Sequence, residues 1–418
     1  MLVVSGIAGA CTMILELAAV RLLAPWFGTS LVVWTNVVAV VLLALAMGYF
    51  LGGRLASRAS PLFILSWMLL IAGAVVAWIP HFCASLARAL LPEEIALHEA
   101  AGLVGWGSLA LAIVAFLPPA TLLGSACPLA VEGLARARGL SPGRAGGLVL
   151  FVSTLGSLVG VFWTSHLMLP ILGLQRTFLL VSILLLLAGG LALSLARQLR
   201  SRRTAMLVIL TICTSSAFIV PSRPPLRAGL VELDSRESSY QSLLVVEDRT
   251  TPTPLRFLKV NEGLDSFQSV WQAQPGLLPP GFYYNDFLLP LSWSEDLSRW
   301  NVLVLGLGAG TVARLFQGEN LDTHMIGVEI DPAVVDLGRV FFDLPTGAGV
   351  LDVWSGIDAR VALRVGTGSF EQVVLDCYAN QVEIPYHLCT LEFFQSVRER
   401  LVDGGWLTAN LGGFDFKD

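Results

Sequence analysis

Long apolar runs fill the first half of the chain. Seven stretches contain about twenty mostly apolar residues each, the length that an α-helix needs to cross a hydrocarbon core of ~30 Å. They cover residues 2–20, 31–53, 61–80, 102–124, 146–170, 177–196 and 204–221. The pattern therefore predicts a transmembrane helical bundle of about seven spans over residues 1–222.

Two features of these runs bear on how the helices pack. Small residues repeat at one-turn spacing in Gly48–Gly52 and Gly156–Gly160, which predicts close approach of neighbouring helices at both places. The apolar region 102–134 is too long for one straight crossing and contains Pro118 and Pro119. We therefore expect a kinked or re-entrant segment at these prolines.

The periodicity changes after residue 222. Short alternating runs at Ser242–Glu247 and Leu255–Val260 predict a linker and a small β-subdomain over residues 223–299. From residue 300 strands alternate with helices, which predicts a parallel sheet covered on both faces. The predicted strands are 301–305, 324–330, 351–354, 373–376 and 406–411. The predicted helices are 311–316, 332–342, 359–365 and 391–402.

This alternation predicts a Rossmann-like α/β domain over residues 300–418. The predicted fold is thus multi-domain, with a helical bundle followed by a small β-subdomain and this α/β domain.

Composition and charge separate the two halves further. Hydrophobic residues make up 55% of the chain and charged residues 14%, which is typical of a membrane protein. The net charge is +7 over residues 1–222 and −12 over residues 223–418. The acidic second half lacks a basic patch and argues against a nucleic-acid partner. The six cysteines form no CxxC pair or Cys/His cluster, so no metal is expected.

The arginines between the predicted spans indicate an orientation in the cell inner (plasma) membrane. Nine lie on one side and three on the other, which places the first set and the N-terminus in the cytoplasm. Seven spans would then put the C-terminal domain outside the cytoplasm. If the C-terminal domain binds a nucleotide cofactor that is made inside cells, the cytoplasmic side is favoured instead. The sequence leaves both orientations open.

The candidate chemistry lies where the predicted strands end. A buried strand runs into the glycine-rich turn LGLGAGT, with Gly306, Gly308 and Gly310, and then into a helix. Such glycines permit a tight turn and close approach of the backbone to a ligand. The next strand ends in Glu329, nineteen residues after Gly310, where a carboxylate can accept both hydroxyl hydrogen bonds of an adenosine ribose. A plain tight turn is the structural alternative.

Two further acids follow the third and fourth strands. Asp358 and the adjacent backbone at Ala359 can contact an adenine edge, although a helix N-cap is an equally good interpretation of Asp358. Asp376 can bind a cation or accept a proton from an amine.

These residues resemble the spermidine synthase (polyamine aminopropyltransferase) family, in its membrane-fused branch. The motifs of the second half that carry the resemblance are Ser239-Tyr240-Gln241, LGLGAGT, GVEIDP, GxDAR, LDCY, Ile384-Pro385-Tyr386-His387-Leu388-Cys389-Thr390 and LEFF. The first half contributes LELAAVRLLAPWFGTS and ALAMGYFLGGRLA. Together they span nearly the whole chain.

The resemblance implies that the α/β domain is of the S-adenosylmethionine-methyltransferase type, with a pocket for decarboxylated S-adenosylmethionine, or S-adenosylmethionine itself, and an amine substrate. Sheets of that type usually continue beyond a fifth strand with an antiparallel pair. The chain ends seven residues after the predicted fifth strand, so we expect a truncated or shortened domain. Glu329 would hold the ribose, Asp358 and Ala359 the adenine, and Gln241 the edge of the pocket. Asp376 matches the first Asp of the family's gate loop, which is thought to deprotonate the acceptor amine. Tyr240 and Tyr378 would contact the substrate beside it.

The sequence departs from the family at the acceptor end. Ala379 replaces the second gate Asp, and segments 264–267 and 283–286 replace an acid-rich stretch, which puts a polyamine product in doubt. A methyltransferase that uses S-adenosylmethionine is one alternative. A transporter that senses polyamines or nucleotides without catalysis is another, favoured by Glu16 within the first span. The β-subdomain is compatible with a homodimer.

Overall fold

The computed structural model describes residues 1–27, 31–57, 60–90, 97–196, 226–251, 253–260, 267–319, 323–345, 350–378 and 384–411. The chain divides into two compact units, Met1–Pro224 and Pro225–Asp418. The described residues of the first unit form helices joined by short connections, and the second unit contains all the described strands.

Apolar sequence folds into long helices in the first unit. They are α1 (Leu2–Phe27), α2 (Leu31–Ala56), α3 (Pro61–Leu90), α4 (Leu97–Gly124), α5 (Ala126–Arg138), α6 (Pro142–Trp163), a π-helical stretch (Thr164–Leu172) and α7 (Gly173–Leu195). Their shared core is almost entirely apolar. Large apolar side chains such as Leu42, Phe151 and Leu187 stay exposed on the outer faces, as expected for helices that face lipid.

The number of membrane crossings stays a prediction. Five helical segments are long and apolar enough to cross a membrane, and one of them, Pro142–Leu195, is 54 residues long. At 1.5 Å per residue this segment measures ~80 Å, more than twice the ~30 Å of a hydrocarbon core. The predicted spans 146–170 and 177–196 both lie within it. The predicted span 204–221 lies outside the described residues.

The helix is not interrupted at Pro118 and Pro119, and a kinked or re-entrant segment there stays a prediction. Both prolines lie inside α4, and the helix ends only at Gly124, where Ser125 separates it from α5. Proline removes one N–H donor but its fixed φ suits a helix, and membrane helices tolerate the loss. The break therefore falls after the prolines.

The predicted close approaches at small residues are confirmed. A Cβ on Gly48 would meet the Gly124 Cα at 2.8 Å, so α2 and α4 touch through their backbones. A Cβ on Gly156 would overlap the backbone of Gly6, which brings α6 onto α1 in the same way. Side chains at these glycines would force the helix pairs apart.

A four-stranded antiparallel sheet begins the second unit. Its strands are β1 (Leu230–Glu237), β2 (Ser242–Asp248), β3 (Leu255–Val260) and β4 (Ser269–Trp271), paired in sequence order. Every residue of β2 from Ser242 to Glu247 is buried. The sequence pattern pointed to β2 and β3, but not to β1 or the three-residue β4.

A five-stranded parallel sheet follows, in the order β7-β6-β5-β8-β9. Its strands are β5 (Val302–Leu305), β6 (Met325–Glu329), β7 (Leu351–Ser355), β8 (Phe370–Leu375) and β9 (Leu401–Ala409). The helices of this part are α8 (Leu289–Trp293), α9 (Thr311–Gly318), α10 (Pro332–Phe341), α11 (Ala359–Val365) and α12 (Leu391–Arg400). The arrangement is a Rossmann-like α/β fold.

Several predicted boundaries at the end of this sheet are wrong. Strand β8 begins at Phe370 rather than at 373. The last helix ends at Arg400 rather than at 402, and β9 begins at Leu401 rather than at 406. The pairing with β8 is irregular between Phe370 and Gln372, and Gly404 has φ +79°. Because of this irregularity, the first residues of β9 do not show the regular alternation from which a strand is predicted.

Candidate active site

The order of the parallel strands reverses between β5 and β8, which lie side by side. In open α/β sheets such a point leaves a crevice at the carboxyl ends of the strands, and ligands bind there. A cavity of about 400 Å³ occupies this position. It is lined by Gln241, Phe267, Gln268, Tyr283, Gly306, Gly308, Val328, Glu329, Ile330, Ile357, Asp358, Ala359, Asp376, Cys377, Tyr378, Pro385, His387, Leu388 and Asn410.

The glycine turn after β5 forms one wall of the cavity. Gly306 has φ +87°, and a Cβ there would overlap the carbonyl oxygen of Asp376. Gly308 has φ +57°, and a Cβ there would lie 2.6 Å from the Ser269 Oγ. Glycine is therefore required at both positions for conformation and for space. Ser269 also accepts a hydrogen bond from the Ala309 N–H at 2.8 Å, which ties β4 to the turn.

Gly310 has a different position from the other two glycines. It does not line the cavity; it is the N-cap residue of α9, with φ +101°. A Cβ there would overlap the Leu344 side chain. The structure thus gives Gly310 a packing and capping function at the start of the helix.

Glu329, at the end of β6, is buried beside the glycine turn with 8% of its surface exposed. Its Oε2 accepts from the Gly308 N–H at 2.9 Å and its Oε1 from the Asp331 N–H at 3.0 Å. Burial raises the pKa of Glu329 to about 7, although both backbone hydrogen bonds act in the opposite direction. Main-chain donors thus fix both oxygens of an acid that faces the cavity.

Asp358 combines two functions at the start of α11. Its Oδ1 accepts from the N–H groups of Arg360 and Val361 at 2.9 and 3.3 Å, so the N-cap interpretation is confirmed. Its Oδ2 lies 2.8 Å from the Nε2 of His387. Ala359 follows as the first residue of the helix and also lines the cavity.

Asp376 follows β8 on the opposite side of the crevice from Glu329. Its Oδ1 accepts from the Asn410 Nδ2 at 2.9 Å and its Oδ2 from the Tyr283 hydroxyl at 3.3 Å. Burial raises the pKa of Asp376 to about 6, and these two hydrogen bonds limit the rise. The carboxyl group therefore titrates close to neutral pH, where it can both accept and release a proton.

A turn between β1 and β2 brings Gln241 to the cavity. The Ser238 hydroxyl accepts from the N–H groups of Tyr240 and Gln241 and donates to the Asp331 Oδ2 at 2.6 Å. Asp331 in turn caps α10 through the Ala333 N–H. Gln241 lines the cavity, whereas Tyr240 does not and is 50% exposed.

The tyrosines beside Asp376 complete this end of the cavity. Tyr378 lines it and donates to the Asn410 carbonyl oxygen at 2.8 Å. Tyr283 stacks on Tyr284, with ring centroids 4.1 Å apart, and the Tyr284 hydroxyl donates to the Gln268 carbonyl oxygen. Burial raises the pKa of Tyr283 above its usual range, so its hydroxyl stays protonated and can act as a donor.

The segment 283–286 was identified from the sequence as a departure at the acceptor end. Asn285 turns away from the cavity and holds the Leu278 backbone with two hydrogen bonds of 2.9 Å. Asp286 is exposed to solvent. Of the other departures, Phe267 lines the cavity, whereas residues 264–266 and Ala379 lie outside the described residues.

Sequence reasoning placed Gln241, Gly306, Gly308, Glu329, Asp358, Ala359, Asp376 and Tyr378 at this site, and the structure brings these eight together. It did not single out Tyr283, His387 or Asn410. Asn410 was detectable in principle, because it follows the carboxyl end of the strand next to β8. Tyr283 lies far from every strand end in the sequence, so no local signal identified it.

Several known proteins named aminopropyltransferases are similar to this chain, although no family model matches it. A probable polyamine aminopropyl transferase of Bifidobacterium longum is 32% identical over 177 residues, 42% of this chain and 36% of that protein. A polyamine aminopropyltransferase of Mycobacterium tuberculosis is 27% identical over 425 residues, 96% of this chain and 75% of that protein. A solved structure, a probable spermidine synthase from Corynebacterium glutamicum, has 26% identity and a TM-score of 0.38, and covers 43% of this chain and 63% of that chain.

The α/β unit thus has the glycine turn, the acid of the second strand and the crevice of a nucleoside-binding Rossmann-like protein. The chain is similar to proteins named polyamine aminopropyltransferases, and its similarity to the Mycobacterium tuberculosis protein extends over 96% of its length. It spans only 36% of the length of the Bifidobacterium relative.

Proposed function

We propose that the protein is a membrane-bound, aminopropyltransferase-like enzyme. It would transfer an aminopropyl or related alkyl group from decarboxylated S-adenosylmethionine, or from S-adenosylmethionine, to a small-molecule amine. One observation carries the proposal: the acids Glu329 and Asp376 face one cavity from the ends of β6 and β8. The glycine turn that follows β5, the strand between them, separates the two acids. The relatives named aminopropyltransferases support the same reaction class.

The residues present fit an adenosyl group. The turn at Gly306 and Gly308 has no room for a Cβ, so the backbone can lie against a ligand. Glu329 would accept the ribose hydroxyls, Asp358 and Ala359 would bind the adenine, and Gln241 would close the edge. When bound, the sulfonium supplies a carbon activated for attack by an amine.

Asp376 would carry the proton transfer. An alkylammonium must lose a proton before its nitrogen can attack, and a carboxylate within hydrogen-bond reach can accept that proton. A pKa of about 6 leaves most of Asp376 ionised at pH 7. Tyr378 and Tyr283 would position the amine on the same side, and the −12 charge of residues 223–418 would attract a cationic substrate.

The test is turnover with the purified full chain in detergent. Decarboxylated S-adenosylmethionine and S-adenosylmethionine are each incubated with an amine panel, and the release of methylthioadenosine or S-adenosylhomocysteine is followed by mass spectrometry. We expect methylthioadenosine, and a loss of about 10²–10⁴-fold in Asp376→Asn. Asp286→Asn, on the exposed side, is the matched control. Unchanged turnover in Asp376→Asn would exclude the proton-transfer function.

The domain organisation belongs to the same proposal. Residues 1–222 would lie in the bilayer as a multi-pass bundle of about seven spans, 223–299 would form the linker and β-subdomain, and 300–418 the transferase domain. Tyr240 is 50% exposed, so any contact it makes with substrate would depend on movement of its turn. A homodimer stays a prediction.

A further inference from the structure

His387 lies at the rim of the cavity and is held there at both ends of the residue. Its ring Nε2 is 2.8 Å from the Asp358 Oδ2, and its carbonyl oxygen accepts from the Arg360 guanidinium at 2.9 Å. Its neighbour Leu388 is buried in the same apolar cluster as Ala359. The backbone around residue 387 is therefore fixed to the start of α11 without help from the imidazole.

The direction of the ring hydrogen bond follows from the acceptor. An ionised carboxylate only accepts hydrogen bonds, so the Nε2 of His387 carries the hydrogen. The Oδ1 of Asp358 is already used by the N–H groups of Arg360 and Val361. Only Oδ2 can then bind a group in the cavity, and His387 fixes the direction of its remaining lone pair.

We infer that His387 is a positioning residue that orients the Asp358 carboxylate toward the exocyclic amino group of the bound purine, and so selects 6-aminopurine nucleosides. The inference rests on the proposed function, because it takes the adenine end of the cavity to be at Asp358. It adds that discrimination of the base depends on a pair of side chains rather than on Asp358 alone.

The pair contributes little to folding. The Asp358 side chain is 27% exposed and that of His387 48% exposed, and exposed ion pairs add little stability. Asp358 would keep its helix cap through Oδ1 if the ring were removed. The effect of His387→Ala should thus appear in ligand selectivity and not in unfolding.

The experiment measures nucleoside binding to the full chain in detergent by calorimetry. The probes are methylthioadenosine and its analogue with hydrogen in place of the 6-amino group. We expect His387→Ala to weaken the binding of methylthioadenosine about five- to tenfold, the net size of one ordinary hydrogen bond, and to change the binding of the analogue less than twofold. Asp358→Asn in the same background should add little further loss of selectivity, because both act on one contact.

Two further variants complete the test. His387→Gln places an amide N–H near the position of Nε2 and should restore most of the affinity for methylthioadenosine. His324→Ala removes a ring that pairs with Asp352 at 3.2 Å but does not line the cavity, and it should leave both affinities unchanged.

Equal weakening of both nucleosides by His387→Ala, or weakening of neither, would overturn the inference while the proposed function stands. If the wild-type chain bound neither nucleoside, the proposed function itself would fail. The two failures are thus distinguished by binding to the unmodified protein.

Discussion

Glu329 is buried and Asp376 is half-buried. Loss of solvent raises the pKa of each, but their partners differ. Both oxygens of Glu329 accept from main-chain N–H groups, which cannot be removed by substitution. The oxygens of Asp376 accept from the side chains of Asn410 and Tyr283. Substitution of neighbouring side chains should therefore change the pKa of Asp376, whereas the two hydrogen bonds to Glu329 do not depend on side chains.

This difference predicts how the pH profile responds to Asn410→Ala. The Asn410 amide donates to the charged form of Asp376 and so lowers its pKa. Its removal should raise that pKa further above its present value of about 6. Because the ionised form accepts the amine proton, activity falls as the pH drops through this pKa. We therefore expect the acid limb of kcat/KM to move to higher pH.

Asn285→Ala provides the matched control for this experiment. It removes an amide of the same unit that bonds to Leu278 and does not line the cavity. Its acid limb should coincide with that of the wild type. An Asn410→Ala profile that stayed in place, or moved to lower pH, would contradict the assignment of Asp376 as the base.

At the scale of elements, the sequence predicted the parallel sheet because short apolar runs alternate with helical segments. Several of these runs also end at a glycine or an acid. The turn at Gly306 and the strand end at Glu329 are local signals of this kind. The contacts of Tyr283 and His387 are not local: they join residues 93 and 29 positions apart. Such pairs depend on how distant loops pack, which no periodicity encodes.

Gly306→Ala should destabilise the second unit more than Gly404→Ala does. Gly404 has φ +79°, close to the +87° of Gly306, but nothing lies within 4 Å of its missing Cβ. Gly404→Ala should thus cost only the left-handed conformation, about 1–2 kcal/mol. Gly306→Ala adds overlap with the Asp376 carbonyl oxygen and should cost more. Thermal unfolding of the full chain in detergent measures both, and equal costs would show that the close contact is unimportant.

Asp331 joins the start of α10 to the turn between β1 and β2, and we expect it to stabilise both. Its Oδ1 caps α10 and its Oδ2 accepts from Ser238, in the turn that carries Gln241. Asp331→Ala removes both contacts, and we expect a loss of about 1–2 kcal/mol together with weaker nucleoside binding. Asp331→Asn retains a capping oxygen and should recover most of the stability. Binding by Asp331→Ala at wild-type strength would show that the turn is held in other ways.

At the scale of the whole molecule, the two units differ in the solvent that they need. The first exposes large apolar side chains around a dry core and carries a net charge of +7 over residues 1–222. The second buries its apolar residues within and between two sheets and carries −12 over residues 223–418. The apolar runs, the composition and the charge predicted this division, because a surface in lipid needs apolar residues and a surface in water needs polar ones. The number of crossings could not be fixed so simply, since a 54-residue helical stretch exceeds any single span.

The proposed cofactor predicts on which side of the membrane the site lies. An adenosyl sulfonium made inside cells would reach the site only from the cytoplasm, and the arginine distribution predicts that the N-terminus lies there too. Both conditions hold together only for an even number of crossings. Cys389 is exposed in the α/β unit and provides a natural probe. We expect a membrane-impermeant maleimide to label it in inverted vesicles and not in intact cells, with Cys389→Ser as the unlabelled control. Labelling in intact cells would place the site outside, and an odd number of crossings with an external nucleoside ligand would then follow.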